Sequence, residues 1–163
     1  VSPLLWEGPR AEQSFEEKAM SMTVKNMLDA KGREVVVVEP EQSLLEVAAI
    51  LHEKRIGAVV IIGHEGRTAG IFTERDLVRA LAEKGASVLD AAVSTIMTVN
   101  VQTCREDTTV DQLMQMMSLG RFRHVPVEAA GRLVGIISIG DVVKSRIREI
   151  ELESEQIKAY IAS

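Results

Sequence analysis

Two segments of this sequence place a hydroxyl and a carboxylate three residues apart, just after a glycine-led apolar run. Thr73 and Asp76 do so in GIFTERDLVRAL (70–81), and Ser138 and Asp141 in GIISIGDVVKSR (135–146), 65 positions later. The spacing has one elementary use. A hydroxyl before a helix accepts from a backbone N–H of the first turn, and the acid three places on reaches back to the amide of the hydroxyl residue. Ser43-x-x-Glu46 and Thr109-x-x-Gln112 obey the same rule, so helix starting alone accounts for the pattern. Those two boxes, however, use the longer Glu and Gln. The shorter Asp can instead point past the strand end and accept from both hydroxyls of a vicinal diol such as ribose. The free N–H groups of a first helical turn suit a phosphate. The ground beyond the carboxyl end of a strand in an α/β sheet is also where ligands bind. On spacing alone, capping and binding both remain open.

A phosphate needs cations nearby. Arg75 lies inside the first corner, Arg123 and His124 belong to the basic tract RFRH (121–124), and Lys31 sits in a stretch that only the first half of the chain has. An arginine grips phosphate oxygens bidentately, and Arg75 and Arg123 are the preferred ligand contacts. Lys31 reads more simply as a surface charge. The second corner has Ile139-Gly140 where the first has Glu74-Arg75, so it lacks a cation of its own and depends on Arg123 or His124. Other chemistry finds no purchase. His52, His64, His124 and Cys104 show no metal-ligand spacing. The chain has no G-x-G-x-x-G and no P-loop, and GHEG (63–66) joins two expected strands rather than two helices. No nucleophile, base and orienting group stand together.

The elements that must hold these residues repeat. Ala58–Ile61 matches His124–Val127 and Ser43–Val47 matches Thr109–Leu113, both at an offset of 66, while Val24–Leu28 matches Val93–Met97 at 69. The extra residues of the first copy fall around Asp29–Glu34, which reads as a loop. Each copy is expected to run from a lead-in turn to a strand (34–38 and 100–104), a helix, two strands joined by a short turn, and a second helix. The expected divisions are an arm with a short helix over 12–20 (1–22), a first repeat (23–86), a second repeat (87–148) and a helical extension (149–163). Along the last helix, apolar residues at 143, 147, 150, 157 and 161, with Ser154 in the polar slot, form a 4-3-4-3-4 seam. Such a seam packs on its own domain or reaches a second subunit.

The 163 residues carry a net charge of −5, with 46% hydrophobic but only 3% aromatic residues, so the core is aliphatic. That charge offers no general attraction to nucleic acid or to an anionic membrane. No apolar run reaches the length of a membrane span, and the first residues do not read as a secretory signal. Cys104 is the single cysteine, expected as a small buried hydrophobe on a strand. A cytoplasmic protein is the simplest expectation.

The pattern G-h-h-[S/T]-x-x-D after a strand, preceded by IGAVVI (56–61) in one copy and FRHVPV (122–127) in the other, resembles the tandem cystathionine-β-synthase (CBS) domain pair. This is the Bateman module in its stand-alone bacterial form, and the likeness spans Thr23 to Arg148. It implies an α/β (α+β) fold of two pseudo-symmetric β-α-β-β-α repeats packed sheet to sheet, with two clefts between them. In similar proteins such clefts hold AMP, ADP, ATP, NAD(H) or S-adenosylmethionine, with no metal required. By this resemblance Asp76 and Asp141 bind ribose, accompanied by Thr73 and Ser138. Adenine is read near Ile56, Gly57, Ala58 and Val59, near Phe122, Arg123, His124 and Val125, and by the first strand of each copy, including Val101. The resemblance also implies a homodimer. The expected function is a non-catalytic regulatory module read by an unidentified protein partner. The alternative is a dimerising interaction protein whose corners are caps alone. An enzyme acting on nucleotides is the least expected, since no acid–base pair is evident.

Overall fold

The computed structural model of the chain describes residues 22–163; the helix expected over 12–20 lies outside them. Helix α1 (Val24–Lys31) leads to β1 (Val37–Val38), α2 (Leu44–Lys54), β2 (Ala58–Ile62), β3 (Thr68–Thr73) and α3 (Glu74–Lys84). Two 3₁₀ turns, Ala86–Asp90 and Val93–Thr95, carry the chain into the second copy. That copy consists of α4 (Val110–Gly120), β4 (His124–Ala129), β5 (Arg132–Ser138) and the long α5 (Ile139–Ala162). Among the described residues no helix is long and apolar enough to cross a membrane. The architecture is the mixed α/β repeat that the sequence pattern predicts.

The first strand of each copy is shorter than expected. Only Val37 and Val38 of 34–38 pair, in parallel with Val60 and Ile61 at the open edge of β2. In the second copy no strand forms over 100–104, and a single parallel bridge joins Cys104 to Val127. The cause is one residue. Val60 N–H donates to Val36 O at 3.2 Å, but the matching residue in the second copy is Pro126, which has no N–H to donate. Pro126 instead only accepts, from Cys104 N at 3.0 Å.

The extra residues of the first copy also depart from expectation. They form no loop at their start but prolong α1 through Lys31, where the second copy has only the turn Val93–Thr95. Thr23 caps α1 with its hydroxyl on Asn26 N, and Gly32 closes it at φ 101°. Lys31 therefore projects from a helix end.

Two aliphatic cores form, and each borrows from the other copy. Val24, Met27 and Leu28 of α1 pack with Val110, Leu113, Val125 and Ile137 of the second copy. Val93, which follows the first copy's last helix, packs with Val38, Leu44, Val59 and Phe72 of the first. Each lead-in segment thus crosses over, and bonds Val24 N→Thr108 O (2.8 Å) and Leu44 N→Ala91 O (3.0 Å) lock the crossings. A fully buried Val or Leu contributes about 1.5–3 kcal/mol, so the exchange ties the halves into one unit. Two glycines permit it. A Cβ on Gly135 would lie 2.6 Å from Leu28 Cδ2, and one on Gly70 2.6 Å from Met97 Sδ.

Helix α5 turns Val142 and Ser145 inward, and Glu149 Oε1 accepts from Met22 N at 2.8 Å. The seam residues Val143, Ile147, Ile150, Ile157 and Ile161 point elsewhere and are all at least half exposed. They do not pack on the described part of their own domain.

Candidate functional site

The corners after β3 and β5 are built alike. Thr73 (φ −118°, ψ 164°) and Ser138 (φ −96°, ψ 163°) keep the extended backbone of the strand while the next residue enters the helix. Asp76 N donates to Thr73 Oγ1 and Asp141 N to Ser138 Oγ, both at 3.2 Å. In return Asp76 Oδ2 accepts from Thr73 N at 3.0 Å, and Asp141 Oδ2 from Ser138 N at 2.8 Å. The same reciprocal box closes at Ser43 and Thr109. The capping reading therefore holds at these helix starts. It engages Oδ2 of each aspartate, and the corners differ in what else approaches the carboxylate.

At the second corner a lysine is already seated. Lys31 Nζ lies 2.7 Å from Asp141 Oδ2 and also donates to Ile136 O at 2.8 Å. In the first copy the matching carbonyl, Ile71 O, accepts from the backbone amide of Thr98 at 2.9 Å. The ammonium thus replaces a main-chain donor that the prolonged α1 has carried away. Burial alone would raise the Asp141 carboxyl, but the bonds from Lys31 and Ser138 outweigh it and hold the group below the ordinary carboxylate range.

At the first corner a cavity of about 1040 Å³ opens beside Asp76, near the upper end of small-molecule pockets. Among the described residues Asp76 Oδ1 accepts one bond, from Arg79 Nη1 at 3.5 Å. Ile71, Val78, Met116, Leu119 and Phe122 supply apolar walls. Arg75, Arg79, Arg121 and Arg123 line the same space, in a chain whose net charge is −5. His124 lies across from Gly57, where any Cβ would stand 3.1 Å from the imidazole and 3.0 Å from Glu74 Oε1. Burial lowers the His124 pKa; Glu74 and Asp141 oppose the shift, while Lys31 and Arg123 reinforce it. The imidazole is accordingly neutral at pH 7 and offers one donor and one acceptor. The groups within the cavity suit a ligand with a hydroxylated ring, an apolar face and an anionic tail.

Of the residues singled out in the sequence, Gly57, Thr73, Arg75, Asp76, Phe122, Arg123 and His124 line this cavity. Ser138, Asp141 and Lys31 form the other corner and do not line it. Ala58, Val59 and Val125 are buried in the cores, with Ile56 packed against the first. Val101 does not line the cavity, whereas its neighbours Asn100 and Gln102 do. Residues two apart on extended backbone share a face, which is how Asn100 and Gln102 reach the cavity together. Arg79 and Arg121 were also missed. Arg79 is one helical turn beyond Asp76, on its face. Arg121 belongs to the RFRH tract and takes the left-handed conformation (φ 55°) that ends α4. Arg55 ends α2 in the same way (φ 52°), though the position favours glycine.

Among the described residues no group of His, Cys, Asp and Glu is placed to hold a metal.

Comparison with known proteins gives this geometry a family. The CBS domain profile matches residues 29–83 and 93–148. A CBS-domain-containing protein of Agrobacterium tumefaciens superposes with a TM-score of 0.76 at 57% identity, covering 78% of this chain and 95% of its own. A CBS domain protein of Pyrobaculum aerophilum, complexed with AMP, superposes at 0.70 with 27% identity over 82% of this chain and 99% of its own. The CBS domain pair of protein MJ0100, in complex with 5′-methylthioadenosine and S-adenosyl-L-methionine, does so at 0.68 with 30% identity over 76% of this chain and 94% of its own. With two matched repeats, the crossed lead-in segments and a capped aspartate at each corner, this chain belongs to the CBS-domain family as a tandem pair.

Proposed function

We propose that this chain is a non-catalytic regulatory module that binds an adenosine-containing ligand in the cleft beside Asp76. The observation that carries the reading is the composition of that cleft: a carboxylate with one oxygen weakly engaged, an apolar wall and four arginines around one cavity. Asp76 accepts from the ribose diol, with the Thr73 corner beside it. The adenine lies among Ile71, Val78 and Met116, and the phosphates meet Arg75, Arg79, Arg121 or Arg123. AMP, ADP, ATP, NAD(H) and S-adenosylmethionine are the candidates, and the adenosine ligands of the Pyrobaculum and MJ0100 proteins support the class. The ligand acts by favouring one arrangement of the two repeats over another, which requires different affinity for the two. A protein partner then reads the change. On this reading the module works in the cytoplasm as a homodimer.

The test is thermal denaturation of ligand-free protein with each of the five compounds. A ligand present at 100 times its Kd stabilises by about 2.7 kcal/mol, which for a chain of this length raises the midpoint by roughly 5–10 °C. Asp76→Asn keeps a side chain able to close the cap but weakens the hold on the diol, so it abolishes most of that shift. No shift with any compound refutes the reading. A second reading, an interaction scaffold without nucleotide, is favoured by the fact that both aspartates complete capping boxes. It predicts that Asp76→Ala lowers stability while wild type shows no ligand response.

A further inference from the structure

Among the described residues, Glu149 is the last of α5 to bond to the body of the protein. Beyond it the helix runs on to Ala162, about 20 Å at 1.5 Å per residue. Among the described residues nothing covers its apolar side. The uncovered side has a definite pattern. Val143, Ile150 and Ile157 occupy one core position of a heptad, and Ile147, Ser154 and Ile161 the other. The five apolar members are between 50 and 76% exposed.

The charges flanking this seam say what covers it. In a parallel pair of such helices, each flanking residue before a core position meets the partner residue five places further on. Arg146 then faces Glu151, and Glu153 faces Lys158, each twice by symmetry. All four encounters are attractive. In the antiparallel pair that matches the whole seam, Glu151 meets Glu151, Glu153 meets Glu153 and Lys144 meets Lys158, which are all repulsive. Within its own chain Arg146 also touches Glu149 and Asp111, yet its side chain remains 47% exposed.

We propose that α5 docks against α5 of a second copy of this chain, forming a parallel, in-register, two-stranded coiled coil with Ser154 meeting Ser154 at its polar layer. One polar core position of this kind specifies register at a cost in stability. The docking is independent of whether the cleft beside Asp76 holds a nucleotide.

The experiment is disulfide cross-linking of full-length Ser154→Cys at micromolar concentration under mild oxidation. Cys104 is buried and does not compete. The expected result is a covalent dimer in at least tenfold excess over Glu155→Cys, which points away from the seam. Ile150→Asp with Ile157→Asp in the Ser154→Cys background reduces the yield at least tenfold. Charge reversal gives a second measurement. Arg146→Glu with Lys158→Glu, and separately Glu151→Lys with Glu153→Lys, each weaken cross-linking alone, and mixing the two restores it. Cross-linking no better than the Glu155→Cys control overturns the proposal, even if the protein is dimeric through another surface. A monomeric or trimeric wild type by light scattering overturns it too.

Discussion

Replacing Lys31 by Met keeps most of the side chain and removes the ammonium that bridges Asp141 Oδ2 (2.7 Å) and Ile136 O (2.8 Å). The two side chains of the pair are 32% and 19% exposed, so the pair stands between two regimes. Exposed ion pairs contribute about 0–1 kcal/mol, and hydrogen bonds to charged groups away from water about 1.5–3 kcal/mol. Water still reaches the lysine, which puts the expected loss at about 1–2 kcal/mol, or a midpoint lower by roughly 3–6 °C. The pH dependence is the sharper signature. The folded Asp141 carboxyl sits below its unfolded value because the Lys31 and Ser138 bonds outweigh burial. Its contribution is therefore complete above the unfolded value of about 3.9 and is lost as the pH falls through the folded one. Urea denaturation of wild type and Lys31→Met at pH 7 and at pH 3 measures it. The gap is full at pH 7 and smaller at pH 3, falling towards the part carried by the Ile136 carbonyl as the folded carboxyl takes up its proton. Lys31→Arg retains most of the stability. A gap unchanged between the two pH values, or absent at pH 7, refutes the account of this corner.

Four further outcomes follow from particular contacts. His124, kept neutral mainly by burial, has a folded pKa below its unfolded one, so wild type loses stability as the pH falls below about 6.5; His124→Gln flattens that part of the profile in denaturation curves. Burial pushes the Cys104 thiol up to about 12, so a thiol reagent at pH 8 leaves native protein unmodified and labels it only on unfolding. Gly135→Ala drives a methyl to 2.6 Å from Leu28, and calorimetry registers a loss of about 1–3 kcal/mol. Ala130 and Gly131 form a hairpin turn with φ of 51° and 75°, a geometry that favours Asn-Gly; Ala130→Asn therefore raises stability, by about 0.5–1 kcal/mol.

Whatever depends on residue type at short range was legible in the sequence itself. The four hydroxyl-to-acid or hydroxyl-to-amide spacings predicted capped helices, and all four boxes close. The internal repeat and the corner motif carried the family resemblance, which the matched repeats bear out. The seam on α5 was visible as a period, because a helix turns a fixed angle per residue. What chain order left open was set by where distant segments meet. Pro126 ends strand pairing only because its neighbour in space would need the N–H it lacks. Lys31 reads as a surface charge until a prolonged helix carries it to Asp141, 110 positions away. The cavity gathers Arg79 from one repeat and Arg121 from the other. Spacing along the chain told that each aspartate caps a helix; the tertiary structure alone decided that Asp76 lines a cavity and Asp141 meets an ammonium. The reason is that a cap is made within one turn, whereas whatever else meets the carboxylate is brought there by the segments the fold packs against it.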